Sequence, residues 1–436
     1  MDFGFDTLLI ANRGEIACRI MRSAHKLGLK TVAVYSDADA STAHVELADV
    51  AVRLGPAPAA ESYLRSDLVI EAALVTGAGA IHPGYGFLSE NADFAQSCED
   101  AGIAFVGPAP EQLRVFGDKH TARDAARRVG VPLVAGSGLL GSVDEALAAA
   151  AEIGYPVMLK AVGGGGGIGM QACHGPGDLH EAYERVLRLA SANFSSAGVF
   201  LERFVSHARH VEVQIFGDGE GRTLSLGTRD CSLQRRNQKV VEEAPAPGLP
   251  DEIVEQMLTS SRALASSVRY RSAGTVEFVY DTERGEVSFL EMNTRLQVEH
   301  PVTEEVTGVD LVEWMLRLAR GDKEMLAALP DSGPAITGHA VEARVYAEDP
   351  GRDYRPSAGL LTHVEFPAHT RIETWVDTGT EVGTFYDPLL AKVIVRGESR
   401  RTAFAGLAAA LDDTHLYGVQ TNLSQLRGIC ESDTVR

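Results

Sequence analysis

The chain has 436 residues, enough for two or three domains whose cores need no covalent staples. Its composition, 45% hydrophobic and 23% charged, is that of a globular protein, and no apolar run approaches the length of a membrane span. A formal net charge of -20 argues against nucleic-acid binding, which needs a basic footprint, yet a locally basic cleft could still take an anion. The five cysteines are scattered, with no C-x-x-C pair, so a reducing, cytoplasmic setting is expected and no zinc site. The N-terminus reads as no signal peptide.

In chain order, "TLLIA" predicts a buried strand, and Ile16, Ile20, Ala24 and Leu27 form a helical stripe closing at Gly28. "TVAVYS", "AGAIHPG" and "IAFVG" repeat the strand theme, and this βαβα order implies a parallel sheet covered by helices. "ANRGEI" lacks G-x-G-x-x-G, so dinucleotide binding has little support. Residues 107–134 read as a connector with helical character. "SVDEALAAAAEIGYP" predicts a helix with Ser142 and Glu145 as a capping box and Gly154 as its end. "PVMLKAV" and "GIGMQAC" are strand-like, placing Gly163–Gly167 at the tip of a hairpin. No Lys-Ser/Thr follows, so this is no Walker A loop; the choice is between a merely mobile hairpin and one that covers phosphates, with Lys160 beneath.

Further on, "GTVEFVY" and "EVSFLEM" predict a hairpin, and beyond it the chain alternates. Glu291, Asn293, Arg295, Gln297 and Glu299 share one parity, while Met292, Thr294, Leu296 and Val298 share the core-facing other. Glu277 on the partner strand could meet Glu291. Two carboxylates and an amide oxygen suit Mg²⁺ or Mn²⁺; a solvated strand face is the plainer reading. "RDCSLQRRNQKVVEEAPAP" clusters Arg235, Arg236 and Lys239 as a surface patch or an anion-binding loop. Glu342 and Arg344 share a strand face. Cys231, His210 and His300 read as structural groups by default.

Together "IANRGEIACRI", "AIHPGYGFLSEN", "GDKHTAR", "GGGGGIGM", "RHVEVQ", "EMNTRLQVEHPVTE" and "HAVEARVYAEDP" resemble the ATP-grasp biotin carboxylases over nearly the whole chain. The resemblance implies an α/β fold, with a Rossmann-like domain over 1–115 and a helical linker over 116–134. A lid subdomain follows over 135–204, and the ATP-grasp core (α+β) and C-terminal domain occupy 205–436. It places Lys119, Lys160, the lid glycines Gly163, Gly164, Gly165, Gly166 and Gly167, Glu202, Val205, His210, Gln234, Asn237, Glu277 and Glu291 at ATP. Glu277, Glu291 and Asn293 match metal positions for Mg²⁺ or Mn²⁺, two ions being expected. Lys239, Arg295, Gln297 and Val298 match the bicarbonate pocket. Glu299 matches the general base, and Arg344 the arginine that binds the biotin enolate. Lys239 and Arg295 complete the catalytic set.

Asn237 and Ile168 point to the urea carboxylase (urea amidolyase) or guanidine carboxylase branch, with an acyl-CoA carboxylase subunit or another carboxyphosphate-forming ligase as alternatives. A nucleotide-sensing scaffold is disfavoured, since Glu299, Lys239 and Arg344 are all present. There is no Ala-Met-Lys-Met motif, so biotin is expected on a separate carrier domain, either on another chain or in a longer protein of which this is a piece, with a carboxyltransferase as further partner and a homodimer as the assembly. No nucleic-acid or membrane partner is expected.

Overall fold

The computed structural model describes residues 4–161, 169–193, 198–432 and 435. The chain divides into two compact units. One comprises Met1–Val131, His210–Phe278 and Glu291–Arg436, the other Pro132–Arg209 and Val279–Leu290.

The larger unit begins with β1 (Thr7–Ile10), β2 (Lys30–Ser36), β3 (Val50–Gly55), β4 (Ala80–His82) and β5 (Ala104–Phe105). They pair in parallel in the order β3-β2-β1-β4-β5. Leu8, Leu9 and Ile10 of the central strand have no solvent contact, as a strand covered on both faces requires. Helix α1 (Gly14–Lys26) buries Ile16, Ile20 and Ala24, and the chain leaves it through Gly28 at φ 71°, a left-handed turn free of strain for glycine. The connector resolves into two short helices, Pro110–Gly117 and Lys119–Arg128.

The smaller unit holds β6 (Val157–Ala161), β7 (Met170–Cys173) and β8 (Val199–Arg203), antiparallel in the order β7-β6-β8. Helices Val143–Ile153 and Pro176–Asn193 cover the sheet around Ala146, Ala150, Leu159, Leu179 and Leu201. The predicted capping box forms only by half. Ser142 Oγ accepts the Glu145 N–H at 3.2 Å, but the Glu145 carboxylate takes the Gly141 N–H at 2.8 Å, one residue earlier. Lys160 pairs with Met170 across β6 and β7, so the glycine segment joins two hairpin strands. Gly163–Gly167 and Ile168 themselves lie outside the described residues.

An eight-stranded sheet collects β9 (Ala208–Asp218), β10 (Thr223–Arg235), β11 (Gln238–Ala244), β12 (Arg271–Asp281), β13 (Glu286–Asn293), β14 (His339–Tyr346), β15 (Arg371–Thr374) and β16 (Leu389–Gly397). Its order is β13-β12-β9-β10-β11-β14-β16-β15. Strand β14 is buried on both faces. Val341, Ala343 and Val345 enter an apolar core with Val393, Phe404 and Leu407. The opposite face carries Glu342 and Arg344, and it is closed by helix α2 (His300–Thr307), whose Val302 and Val306 pack on Ala340 and Ala244.

The extended alternation predicted from Glu291 to Glu299 stops early. Strand β13 ends at Asn293, and α2 starts at His300 with Pro301 in its first turn, where a missing N–H costs nothing. Val298, expected to face the core, is half-buried, whereas Gln297 and Glu299 are buried. All five cysteines are free and buried. Among the described residues no helix is long and apolar enough to cross a membrane.

Candidate active site

Lys239, at the start of β11, reaches three buried carboxylates. Its Nζ lies 2.7 Å from Glu299 Oε1, 2.9 Å from Glu212 Oε2 and 3.0 Å from Glu277 Oε1. Burial alone would push Glu299 up, but Lys239 beside it holds the carboxyl below the usual carboxylate range. Glu212 is driven lower still, against burial, by Lys239 and by Arg229. Arg229 has no solvent contact and donates to Glu212 at 2.5 Å, Gln214 at 2.6 Å, Thr303 at 2.9 Å and Thr275 at 3.0 Å. His210 Nε2 stands 3.0 Å from Glu277 Oε2, and Glu212 and Glu277 raise the imidazole to about 10 despite burial.

On its other side Glu299 meets Arg344, whose Nη2 is 3.0 Å from Glu299 Oε2 and 2.5 Å from Glu242 Oε1. Antiparallel register sets Glu242 directly opposite Glu342 and Arg344 opposite Lys392. Both glutamates are wholly buried, and among the described residues the Glu342 oxygens have no hydrogen-bond partner. Burial lifts Glu242 to about 7 and Glu342 well above its ordinary range. Arg344 thus faces an ionised acid, Glu299, and a glutamate pair pushed toward its neutral form.

The segment after β13 adds a third group. Arg295 Nη1 donates to Gln297 Oε1 at 3.0 Å, Nη2 to Asn293 Oδ1 at 3.3 Å and Nε to Glu90 at 3.0 Å. Asn293 Nδ2 donates to Glu277 at 2.8 Å, which joins this group to Lys239. Glu291 is half-buried at the end of β13; burial first, then the charge of Glu277, raises its carboxyl, while Lys119 pulls it down. Two carboxylates that repel, with an amide beside them, form a hard-oxygen donor set that fits Mg²⁺ or Mn²⁺. His210, Glu212 and Glu277 also bring ligand atoms within 4.8 Å of one another.

The structure therefore gathers Lys239, Glu277, Asn293, Arg295, Gln297, Glu299 and Arg344 into one connected cluster, with His210 at its edge. Each of the other expected residues sits within its own unit. Gln234 pairs across the strand with Lys239, but its amide donates to the Cys231 carbonyl at 2.8 Å. Asn237 is exposed at the tip of the β10–β11 turn, at φ 66°. Lys119 is exposed at the start of its helix. In the smaller unit Lys160 and Glu202 form an ion pair, and Val205 lines a cavity of about 70 Å³ with Leu133 and Arg203. Of the basic trio, Arg235 stacks 3.9 Å over the Tyr354 ring and binds Glu348, and Arg236 pairs with Asp353 at the surface. Only Lys239 enters the cluster. Cys231 Sγ lies 3.8 Å from Glu299, and burial keeps its thiol protonated.

Three family models divide the chain. Residues 4–113 match "Biotin carboxylase, N-terminal domain", 118–326 match "Carbamoyl-phosphate synthase L chain, ATP binding domain", and 342–436 match "Biotin carboxylase C-terminal domain". The biotin carboxylase domain dimer of Hydrogenobacter thermophilus 2-oxoglutarate carboxylase, solved with MgADP, ADP and bicarbonate, superposes with a TM-score of 0.88 at 41% identity. That match covers 98% of this chain and 94% of the other. The chain belongs to the biotin carboxylase family. Its matched segments are the N-terminal, ATP-binding and C-terminal parts that the resemblance implies.

Among curated biotin carboxylase relatives, Saccharomyces cerevisiae urea amidolyase is 52% identical over 98% of this chain, and the chain spans 23% of that protein. The α subunit of methylcrotonoyl-CoA carboxylase from Oryza sativa is 48% identical over 97% of the chain and 57% of the relative. Within this biotin carboxylase chain, sequence reasoning passed over Glu212, Glu242, Glu90 and Lys392. Glu212 had a signal, since His210, Glu212 and Gln214 share one face of β9. The others are brought in by strand register and chain crossing, which no local pattern records.

Proposed function

We propose that this chain carboxylates N1′ of biotin on a carrier, using ATP and bicarbonate, as the first half-reaction of a urea carboxylase-type enzyme. The observation that carries the reading is the chain Lys239–Glu299–Arg344, in which one buried, ionised carboxylate lies between the half-buried Lys239 and the buried Arg344. Such a carboxylate is a proton acceptor with anion-binding groups on both sides.

In this reading bicarbonate enters beside Arg295, Gln297 and Lys239. Its charge raises the Glu299 carboxylate by like-charge repulsion and so strengthens it as a base. Glu299 takes the bicarbonate proton while a bicarbonate oxygen attacks the γ-phosphorus of ATP, and ADP leaves. Lys239 and Arg295 offset the charge that gathers on the carboxyphosphate formed. Carboxyphosphate separates into CO₂ and phosphate; the phosphate removes the N1′ proton of biotin, and N1′ attacks CO₂. Arg344 holds the enolate oxygen of biotin during that attack. Glu277, Glu291 and Asn293 would hold Mg²⁺ or Mn²⁺, which when bound neutralises nucleotide phosphates. Lys119, Lys160, Gly163–Gly167, Glu202, Val205, His210, Gln234 and Asn237 are assigned to the nucleotide.

Identity to urea amidolyase favours urea as the final acceptor, while the methylcrotonoyl-CoA relative keeps an acyl-CoA acceptor as the second reading. A carrier, a carboxyltransferase and homodimerisation complete the proposal; the dimeric relative supports the last. The match of 118–326 to a carbamoyl-phosphate synthase domain raises a different carboxyphosphate-forming ligase, but Arg344 falls in the biotin-specific C-terminal part. The test is ATP turnover with bicarbonate, with and without free biotin. Stimulation by biotin, with carboxybiotin formed, is expected; no stimulation overturns the reading. Coupling to carrier and carboxyltransferase, with urea or methylcrotonoyl-CoA offered in turn, then identifies the acceptor.

A further inference from the structure

Lys392 lies on β16 with no solvent contact, and its Nζ donates to the carbonyl of Val298 at 2.9 Å. Its nearest carboxylate oxygen is Glu15 Oε2, at 3.4 Å. One residue earlier the carbonyl of Gln297 is 2.7 Å from Nδ1 of His300, which is also wholly buried. A carbonyl only accepts, so the His300 proton sits on Nδ1. Two successive carbonyls of the segment between β13 and α2 are thus each held by a buried side chain, one from β16 and one from α2.

The consequence follows from peptide geometry. In a planar trans peptide the C=O and the next residue's N–H point in opposite directions. Holding the Gln297 carbonyl aims the Val298 N–H, and holding the Val298 carbonyl aims the Glu299 N–H, both away from the core anchors. Val298 has an apolar side chain, so its polar contribution to an anion site must come from its main chain. The Gln297 side chain supplies an independent sign of a ligand here: it is buried, and its Nε2 has no acceptor among the described residues. Two main-chain donors on this segment, with a buried amide beside them that has no acceptor among the described residues, suit an oxyanion.

We propose that Lys392 and His300 are positioning residues that clamp the Val298 and Gln297 carbonyls, so that the Glu299 and Val298 N–H groups face bicarbonate. This rests on the biotin carboxylase reading above. Neither residue touches substrate; both act through the backbone between Gln297 and Glu299. Fixing these dipoles before the anion arrives removes the reorganisation that a free loop would require.

The test compares wild type with Lys392→Met, His300→Leu and His300→Asn in the same chain, using biotin-stimulated ATP turnover. Asn retains a donor near the place of Nδ1 and Leu does not. Lys392→Met and His300→Leu should each raise KM for bicarbonate about tenfold, the size expected for losing a charged or fixed hydrogen bond. KM for ATP should stay near the wild-type value, and His300→Asn should restore most of the bicarbonate affinity. A bicarbonate KM that stays at the wild-type value overturns the clamp. So does a parallel rise in both KM values, or His300→Asn as impaired as His300→Leu. Thermal unfolding shows whether each variant folds; if Lys392→Met does not, the two His300 variants decide. Wild type that shows no bicarbonate-dependent turnover overturns the functional reading and the clamp with it, whereas active wild type with unaffected variants overturns the clamp alone.

Discussion

Lys239 Nζ and Glu299 Oε1 are 2.7 Å apart, and each is also held by a second partner of opposite charge: Glu212 for the lysine, Arg344 for the glutamate. The pair is the centre of an alternating series of acids and cations across β9, β11, β14 and the start of α2. Removing any member changes the charge seen by the others.

Glu299→Gln keeps the shape of the side chain and removes its capacity to accept a proton. Biotin-dependent turnover should fall by about 100-fold or more, the usual weight of a general base. ATP affinity, measured by calorimetry, should remain at the wild-type level. Comparable turnover in the variant would end the general-base assignment.

Lys239→Gln leaves Glu212, Glu277 and Glu299 with one cation fewer. Breaking a buried ionic set in this way costs about 3–5 kcal/mol, visible as a lower denaturant midpoint. Glu299 loses the neighbour that holds its carboxyl down, so its pKa rises. The acid limb of kcat/KM should therefore move to higher pH, and carboxylation should slow. An unchanged pH profile and rate would remove Lys239 from the site.

Glu342→Gln tests the buried acid opposite Glu242. The folded-state pKa of Glu342 is raised, chiefly by burial, so between the unfolded and folded values the native protein binds more protons than the unfolded chain. Stability from this group falls as pH rises through that window, and the penalty is largest above the folded pKa. The glutamine variant carries no such penalty. Its melting temperature relative to wild type should rise steadily from pH 5 to pH 8; a pH-independent difference would show that Glu342 is ionised or neutral in both states alike.

Arg229→Met removes a guanidinium with four side-chain partners and no solvent contact. Among the described residues Glu212 then keeps Lys239 and His210 as its cationic neighbours. A loss of about 3–5 kcal/mol is expected in urea unfolding. A variant as stable as wild type would mean that the surrounding groups rearrange to satisfy one another.

Much of this was legible in the sequence because it depends on local pattern. The apolar runs at Thr7–Ile10 and Lys30–Ser36 and the stripe Ile16, Ile20, Ala24 fix the parallel sheet and its first helix. The polar parity Glu291–Asn293–Arg295–Gln297–Glu299 brought five site residues forward, although only its first part is strand. Its later members are placed by a turn into α2, where Pro301 and not alternation decides the path. Glu90 and Lys392 escaped notice because they reach Arg295 and the Val298 carbonyl from distant parts of the chain. The Glu145 half of the capping box lands one residue earlier than the motif predicts, because the Gly141 N–H lies within reach of the same carboxylate.

Strand β14 is enclosed on both sides, by an aliphatic core through Val341, Ala343 and Val345 and by α2 over Glu342 and Arg344. A backbone shift that accommodates a new residue on one side must displace the other. Val341→Ala would alter no polar side chain of the cluster, yet the space it opens under β14 would let Arg344 shift relative to Glu299. Screens for tighter packing in this core will therefore select on chemistry as well, and a catalogue of tolerated substitutions along β14 should be sparse on its aliphatic side too.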